Sequence, residues 1–325
     1  MKILLTHTPD FRRQYYGERS VSGLQALAEV RFHDAGAPLD AAGIVQAAQD
    51  VDIIVADRMT EGPGEIFPQL PKLRAFVRCA VDIRNIDVNA ASAAGVLVTR
   101  ASPGFVAAVA ELALGFMVDL SRGVSRATAD YHAGRKPEVV MGRQLAGSRL
   151  GIIGYGSIGR ALAPIAKALG MQVLVADPFV TIEDADIKHL PLDDLLGRAE
   201  YVVCLAVANE QTENLIGQAA LARMQPHAFF INLSRGNLVD EQALADALRE
   251  GRIAGAAMDV GRAPDQMPTP ELARLPNVTA TPHIGGLTPQ AIEHQARETV
   301  RQVAAIISGE APPGAVNAER WTRRP

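Results

Sequence analysis

The chain has 325 residues, 32 Lys and Arg against 36 Asp and Glu, and a formal net charge of −4. At about 150 residues per domain, this length points to two domains. An apolar content of 48 % excludes a disordered chain, and the slight acidity leaves no broad basic surface for a phosphate backbone, so nucleic acid is not an expected partner.

In chain order, the opening MKILLTHTPD is too short for a signal peptide and reads as a first strand. Further β-rich runs follow at 30–33, 53–56, 75–79 and 96–99, after a first run at 2–6, with helical spacing at 20–28 and 39–48. The longest apolar stretch, 105–120, contains Glu111 and Asp119 and falls short of a membrane span, so no membrane is expected as a partner. It belongs to a long helical segment, 106–133, that links two halves. From there, runs at 150–153, 172–176, 201–207, 228–233, 255–260 and 278–281 alternate with helices. Residues 293–309 read as a final helix that packs back on the first half, and the tail 311–325 as surface. The two cysteines, Cys79 and Cys204, sit in apolar runs, which suggests a reducing cytosol and neither a disulfide framework nor a metal cluster. Continuous apolar strands separated by helices mean parallel sheets covered on both faces. The predicted fold class is therefore α/β, with two doubly wound parallel-sheet domains of five and about six strands.

The stretch LGIIGYGSIGRALAPIAKALGMQVLVAD (150–177) holds the most specific signal. Gly154, Gly156 and Gly159 form G-x-G-x-x-G directly after an apolar strand. The first allows a tight turn, the second lets a pyrophosphate approach the backbone, and the third lets helix and strand pack closely. Unpaired N–H groups at the helix start then receive phosphate oxygens. Asp177 ends the next strand, where a carboxylate accepts hydrogen bonds from ribose hydroxyls and repels a 2′-phosphate. The expected cofactor is NAD rather than NADP. Pro164 falls inside the helix, where a local kink is expected.

INLSRGNLVDEQALADAL (231–248) places Arg235 just past another apolar strand, where a guanidinium can clamp a carboxylate through two parallel bonds. The plainer alternative is a surface arginine. His283, in TPHIGG (281–286), follows the next-but-one strand, so both residues should emerge at one edge of a parallel sheet. Arginine and imidazole together suit hydride transfer at the carbon of a 2-oxo or 2-hydroxy acid. The arginine orients the substrate and polarises its carbonyl, while the histidine gives or takes the oxygen's proton near neutral pH.

With VAELALGFM (109–117), GIIGYGSIGRALA (151–163), NLSRGNLVDEQAL (232–244), GAAMDV (255–260) and TPHIGG, the sequence resembles the D-isomer-specific 2-hydroxyacid dehydrogenases over nearly its whole length. The resemblance is to members acting on phosphoglycerate, glyoxylate or hydroxypyruvate. It implies a flavodoxin-like substrate domain, 1–99 plus 287–325, and a Rossmann coenzyme domain, 100–286. It also implies a cytoplasmic homodimer built mainly through the coenzyme domains. The chain stops soon after the last helix, so a regulatory domain is not expected. By this resemblance Arg235 binds substrate and His283 is the acid/base. Tyr155, Ser157, Ile158 and Leu233 join the three glycines and Asp177 as cofactor contacts. Thr212 would lie near the cofactor phosphates, and Asp259 would contact the nicotinamide carboxamide or else be a solvated strand-end acid. The loop RCAVDIRNID (78–87) would offer the backbone N–H groups of Cys79, Ala80 and Val81 to the substrate carboxylate.

The chain departs from the family in several places. Ala80 and Asp82 stand where glycine is usual, Arg84 where aspartate is common, and Phe105 where asparagine is frequent. Arg78 and Arg84 read as solvated charges or as extra anchors for an acidic substrate. The family's histidine partner, a glutamate, is replaced by Pro264 in MDVGRAPDQMPTPEL (258–272), and Gly261 replaces a phenylalanine. Three readings stay open. Asp265 stands in for the glutamate as a third catalytic residue, Glu271 or another acid reaches the histidine, or His283 works alone. Two rival functions remain at this point: a related oxidoreductase acting on formate or phosphite, and a catalytically weak, corepressor-like NAD sensor.

Overall fold

A computed structural model describes residues 1–264 and 266–325, which divide into two units, Met1–Gly104 with Pro289–Pro325, and Phe105–Thr288.

In the first unit, five short runs of β-branched and apolar residues form β1 (Lys2–Leu5), β2 (Glu29–Phe32), β3 (Ile53–Ala56), β4 (Ala75–Arg78) and β5 (Leu97–Arg100). Their order is β2-β1-β3-β4-β5, all parallel, the flavodoxin-like arrangement with its switch point between β1 and β3. Period-two alternation sends Ile3, Leu5, Ile53 and Val55 to one face, against Leu24, Tyr16 and Val303. Leu4, Ile54 and Phe76 face the other way, against Ile44, Phe67 and Leu70. Burying each large side chain contributes about 1.5–3 kcal/mol. The last helix, Pro289–Ile307, supplies Ala296, Val303 and Ile306 to the first of these faces.

Two expectations for this unit need correction. The tail is not simply surface. Trp321 and Asn317 are buried, and the Asn317 carboxamide accepts from Val98 N at 2.8 Å and donates to Val96 O at 2.9 Å, covering the β5 edge. Arg78 is not a solvated charge either. It is wholly buried and donates to the carbonyls of Asp57 and Thr60 and to Asn85 Oδ1, binding the loops after β3 and β4 together. Arg84 stays exposed and pairs with Asp82 at 2.6 Å.

In the second unit the strands are β6 (Arg149–Ile153), β7 (Gln172–Ala176), β8 (Ile187–His189), β9 (Tyr201–Cys204), β10 (Phe229–Asn232), β11 (Gly255–Met258) and β12 (Val278–Ala280). Among the described residues they order as β12-β11-β10-β9-β6-β7-β8, all parallel, a Rossmann sheet with one strand added beyond the sixth. Seven strands, not about six, are present, because β8 is three residues long at the sheet edge and carries no apolar run.

The segment 106–133 is two helices, Val106–Arg122 and Val124–His132, interrupted at Gly123 with φ 64°. The first buries Val109, Ala110, Ala113, Phe116 and Met117, one helical face. Its Asp119 accepts from Thr279 Oγ1 at 2.7 Å and from Ser125 N at 2.6 Å, which satisfies a carboxylate in an otherwise apolar run. Helix Ser157–Ala168 runs through Pro164 without a break, and Pro164 lies on its exposed side, where the lost backbone bond costs least.

Candidate active site

The glycine loop after β6 has the shape its sequence demands. Gly154 has φ +90°, and a Cβ there would lie 2.6 Å from the Ala206 backbone. No side chain fits, so the turn can be this tight only with glycine. A Cβ on Gly159 would meet the Gly154 carbonyl at 2.8 Å, which is why helix Ser157–Ala168 packs so closely on the loop. A Cβ on Gly156, by contrast, would meet nothing within 4 Å. That position is open space at a helix N-terminus, a cradle of the kind a pyrophosphate fills.

Asp177 follows β7 directly. Its Oδ2 accepts from Tyr155 N inside the glycine loop at 2.7 Å, and its Oδ1 from Phe179 N at 2.9 Å. Each oxygen keeps a further lone pair for a ribose hydroxyl. Phe179 is 86 % exposed and Val207, past β9, 76 %. The glycine loop, Asp177 and Val207 therefore follow three neighbouring strands at the switch point between β6 and β9. Ser157 and Ile158 open the helix, and Leu233 is buried just past β10. The Thr212 hydroxyl is spoken for locally. It donates to Val207 O at 2.7 Å and accepts from Asn209 N at 2.9 Å in a capping box.

Farther along the same edge, Arg235, Asp259 and His283 follow β10, β11 and β12, which are adjacent and parallel. Arg235 sits in a turn built by Asn232, a buried residue that sequence reasoning passed over. Asn232 accepts from Ser234 N at 3.1 Å and donates to Arg235 O at 3.0 Å. The only signal for it was a polar residue closing an apolar strand. Next to it, a Cβ on Gly236 would lie 2.1 Å from the Gly261 carbonyl carbon, so the two loops touch backbone to backbone.

Asp259 is not a solvated acid. It is buried and accepts from Thr281 Oγ1 at 2.6 Å, Ile284 N at 2.8 Å and Gly285 N at 2.8 Å. These bonds hold both sides of His283, whose φ of +54° is uncommon for a residue with a side chain. Asp265 lies outside the described residues. Glu271 is exposed at the start of a short helix, Pro270–Ala273.

In the first unit, the Cys79 N–H is already given to Ala56 O at 2.8 Å, so it is not free for a ligand as expected. The N–H groups of Ala80 and Val81 have no acceptor among the described residues. Burial pushes the Cys79 and Cys204 thiols up to about 12, which removes both as nucleophiles.

Residues 114–285 match the family model described as D-isomer specific 2-hydroxyacid dehydrogenase, NAD binding domain. The chain is 33 % identical over 306 residues to D-3-phosphoglycerate dehydrogenase of Mycobacterium leprae, covering 93 % of this chain and 57 % of that one. It is 32 % identical over 317 residues to glyoxylate reductase of Korarchaeum cryptofilum, covering 95 % of each. A solved structure from Thermus thermophilus superposes with a TM-score of 0.87 at 29 % identity, over 97 % of this chain and 100 % of that one. The chain thus belongs to the D-isomer-specific 2-hydroxyacid dehydrogenase family, and its second unit carries the family's NAD-binding domain. It spans little more than half the length of the phosphoglycerate dehydrogenases it matches.

Proposed function

We propose that this protein is an NAD-dependent oxidoreductase interconverting a small D-2-hydroxy acid and its 2-oxo acid. The observation that carries the reading is the emergence of Arg235, Asp259 and His283 from three adjacent strand ends of the sheet that also bears the dinucleotide cradle. Gly154, Gly156, Gly159 and Asp177 would hold the cofactor, with Tyr155, Ser157, Ile158, Thr212 and Leu233 around it. Exposed Phe179 and Val207 would flank its adenine. Bound there, NAD supplies the hydride donor or acceptor.

Arg235 clamps the substrate carboxylate and polarises the 2-oxo group. His283 donates its proton to the carbonyl oxygen in reduction and takes it back in oxidation. Asp265 is its acid partner, a role supported by its spacing from Asp259 alone. Asp259 serves by fixing the backbone on either side of His283. The relatives are dehydrogenases and reductases, which does not favour an inactive sensor.

Exposed apolar side chains support a homodimer through the second unit. Val139 and Met141 are each 95 % exposed, and Tyr131 is exposed nearby in sequence. The test of the function is NADH absorbance with a panel of 2-oxo acids that includes glyoxylate. Oxidation with at least one acid supports the proposal. Bound NADH with no oxidation by any of them contradicts it.

A further inference from the structure

Arg262 stands one residue past Gly261, where nothing in the sequence marks it as functional. From its own loop after β11, its guanidinium reaches two more loops at the carboxyl edge of the second sheet. The Nε donates to Val239 O at 2.9 Å. The Nη2 is shared among Glu213 Oε1 at 2.7 Å, Asn214 Oδ1 at 2.5 Å and Asn237 O at 2.9 Å. Glu213 also accepts from Asn237 Nδ2 at 3.0 Å, so its carboxylate bridges the two neighbouring loops. The Arg262 backbone is tied in turn, with its N–H donating to Glu241 Oε1 at 2.8 Å, while Thr269 Oγ1 donates to Glu241 Oε2 at 2.7 Å.

The three loops thus joined are those after β9, β10 and β11, and they carry Thr212, Arg235 and Asp265 respectively. The backbone contact of Gly236 with Gly261 leaves no side chain between the second and third. With no packed side chain there, polar bonds must set their register. The Arg262 guanidinium holds the Glu213 carboxyl below its usual range, so the carboxylate is charged at neutral pH.

We infer that Arg262 is the positioning residue of this site, a planar clamp that sets the Arg235 loop against the loop following Asp259. The inference rests on the function proposed above. An isolated surface ion pair would matter little, but a guanidinium that also satisfies two backbone carbonyls ties backbone to backbone. Lysine has one donor head and cannot reach Val239 O and Glu213 together.

The test compares Arg262→Ala, Arg262→Lys and Glu213→Gln with the wild type. Hydrogen exchange at the Val239, Gly261 and Ala263 amides, which are bonded within these loops, reads positioning without any turnover. Exchange there is expected to speed up in both Arg262 variants and, by less, in Glu213→Gln. For a 2-oxo acid substrate KM should rise and kcat fall, lowering kcat/KM by roughly ten- to a hundredfold in Arg262→Ala. NADH affinity, carried by the glycine loop and Asp177, should stay within about twofold.

Unchanged exchange in Arg262→Ala overturns the clamp. Faster exchange with unchanged KM and kcat overturns the positioning role. Should Arg262→Ala lose NADH binding and fail to fold, Glu213→Gln decides, and no effect in it counts against the inference. If the wild type turns over no 2-oxo acid, the proposed function fails while the exchange result still judges the clamp.

Discussion

Both Asp177 carboxylate oxygens accept from backbone N–H groups, one of them in the glycine loop itself, so its position is fixed before any nucleotide arrives. A negative charge held there repels a 2′-phosphate and accepts ribose hydroxyls. The wild type should therefore prefer NADH over NADPH by at least about tenfold, or ~1.4 kcal/mol. Asp177→Ser should erode that preference, and equal use of both cofactors by the wild type would remove Asp177 from the ribose site. Asp265 supplies the other residue-scale prediction. A carboxylate beside an imidazole favours its protonated form, and reduction needs that proton. Without the anion the imidazole deprotonates at lower pH. Asp265→Asn should thus move the alkaline limb of the reduction profile downward, and an unmoved limb would rule out Asp265 as the partner.

At the scale of elements, the carboxyl ends of β1, β3 and β4 enclose a buried polar group of His7, Asp57, Thr60 and Arg78. The His7 ring lies tilted by 59° against Tyr16, with ring centroids 4.9 Å apart. Desolvation, opposed by Asp57 and aided by Arg12 and Arg78, holds its pKa down to about 4 from 6.5. The folded protein then binds fewer protons than the unfolded chain between these values, so stability rises with pH across this window. His7 contributes fully above pH 6.5, and its contribution is lost as pH falls toward 4. His7→Leu should flatten the loss of unfolding free energy over that interval by up to about 3 kcal/mol. Denaturant titrations with the same slope against pH in both proteins would contradict this.

The same elements show what could be read from sequence. Most strands were legible because buried parallel strands are short unbroken apolar runs, as in β6 and β9. β8 was not, because an edge strand of three residues has no such run. Gly123 interrupts a helix whose apolar pattern gives no sign of the break. In the candidate site, strand order let Arg235 and His283 be placed at one edge. Arg78 was misread because its partners, Asp57 and Thr60, come from a loop some 20 residues away that composition does not reveal. Asn232 and Arg262 escaped notice for a similar reason, since their importance lies in which carbonyls they reach.

At the scale of the whole molecule, the fold bears on assembly and on stereochemistry. No helix among the described residues is long and apolar enough to cross a membrane. Val139 and Met141, each 95 % exposed, call for a cover. A second copy is the cover proposed, and Met141→Glu with Val139→Glu should shift the sedimenting species from dimer toward monomer. A wild type that sediments as a monomer at micromolar concentration would dismiss the dimer.

The central claim is tested most directly by chirality. The measurement is NAD reduction by the wild type with the separate D and L enantiomers of the chiral 2-hydroxy acid whose oxo form it reduces fastest. Arg235 and His283, fixed on one strand edge beside the cofactor cradle, should present only one face of the carbon to the hydride. The account predicts NADH formation with the D enantiomer and none above background with the L. Turnover of the L enantiomer, or of both at similar rates, would contradict it.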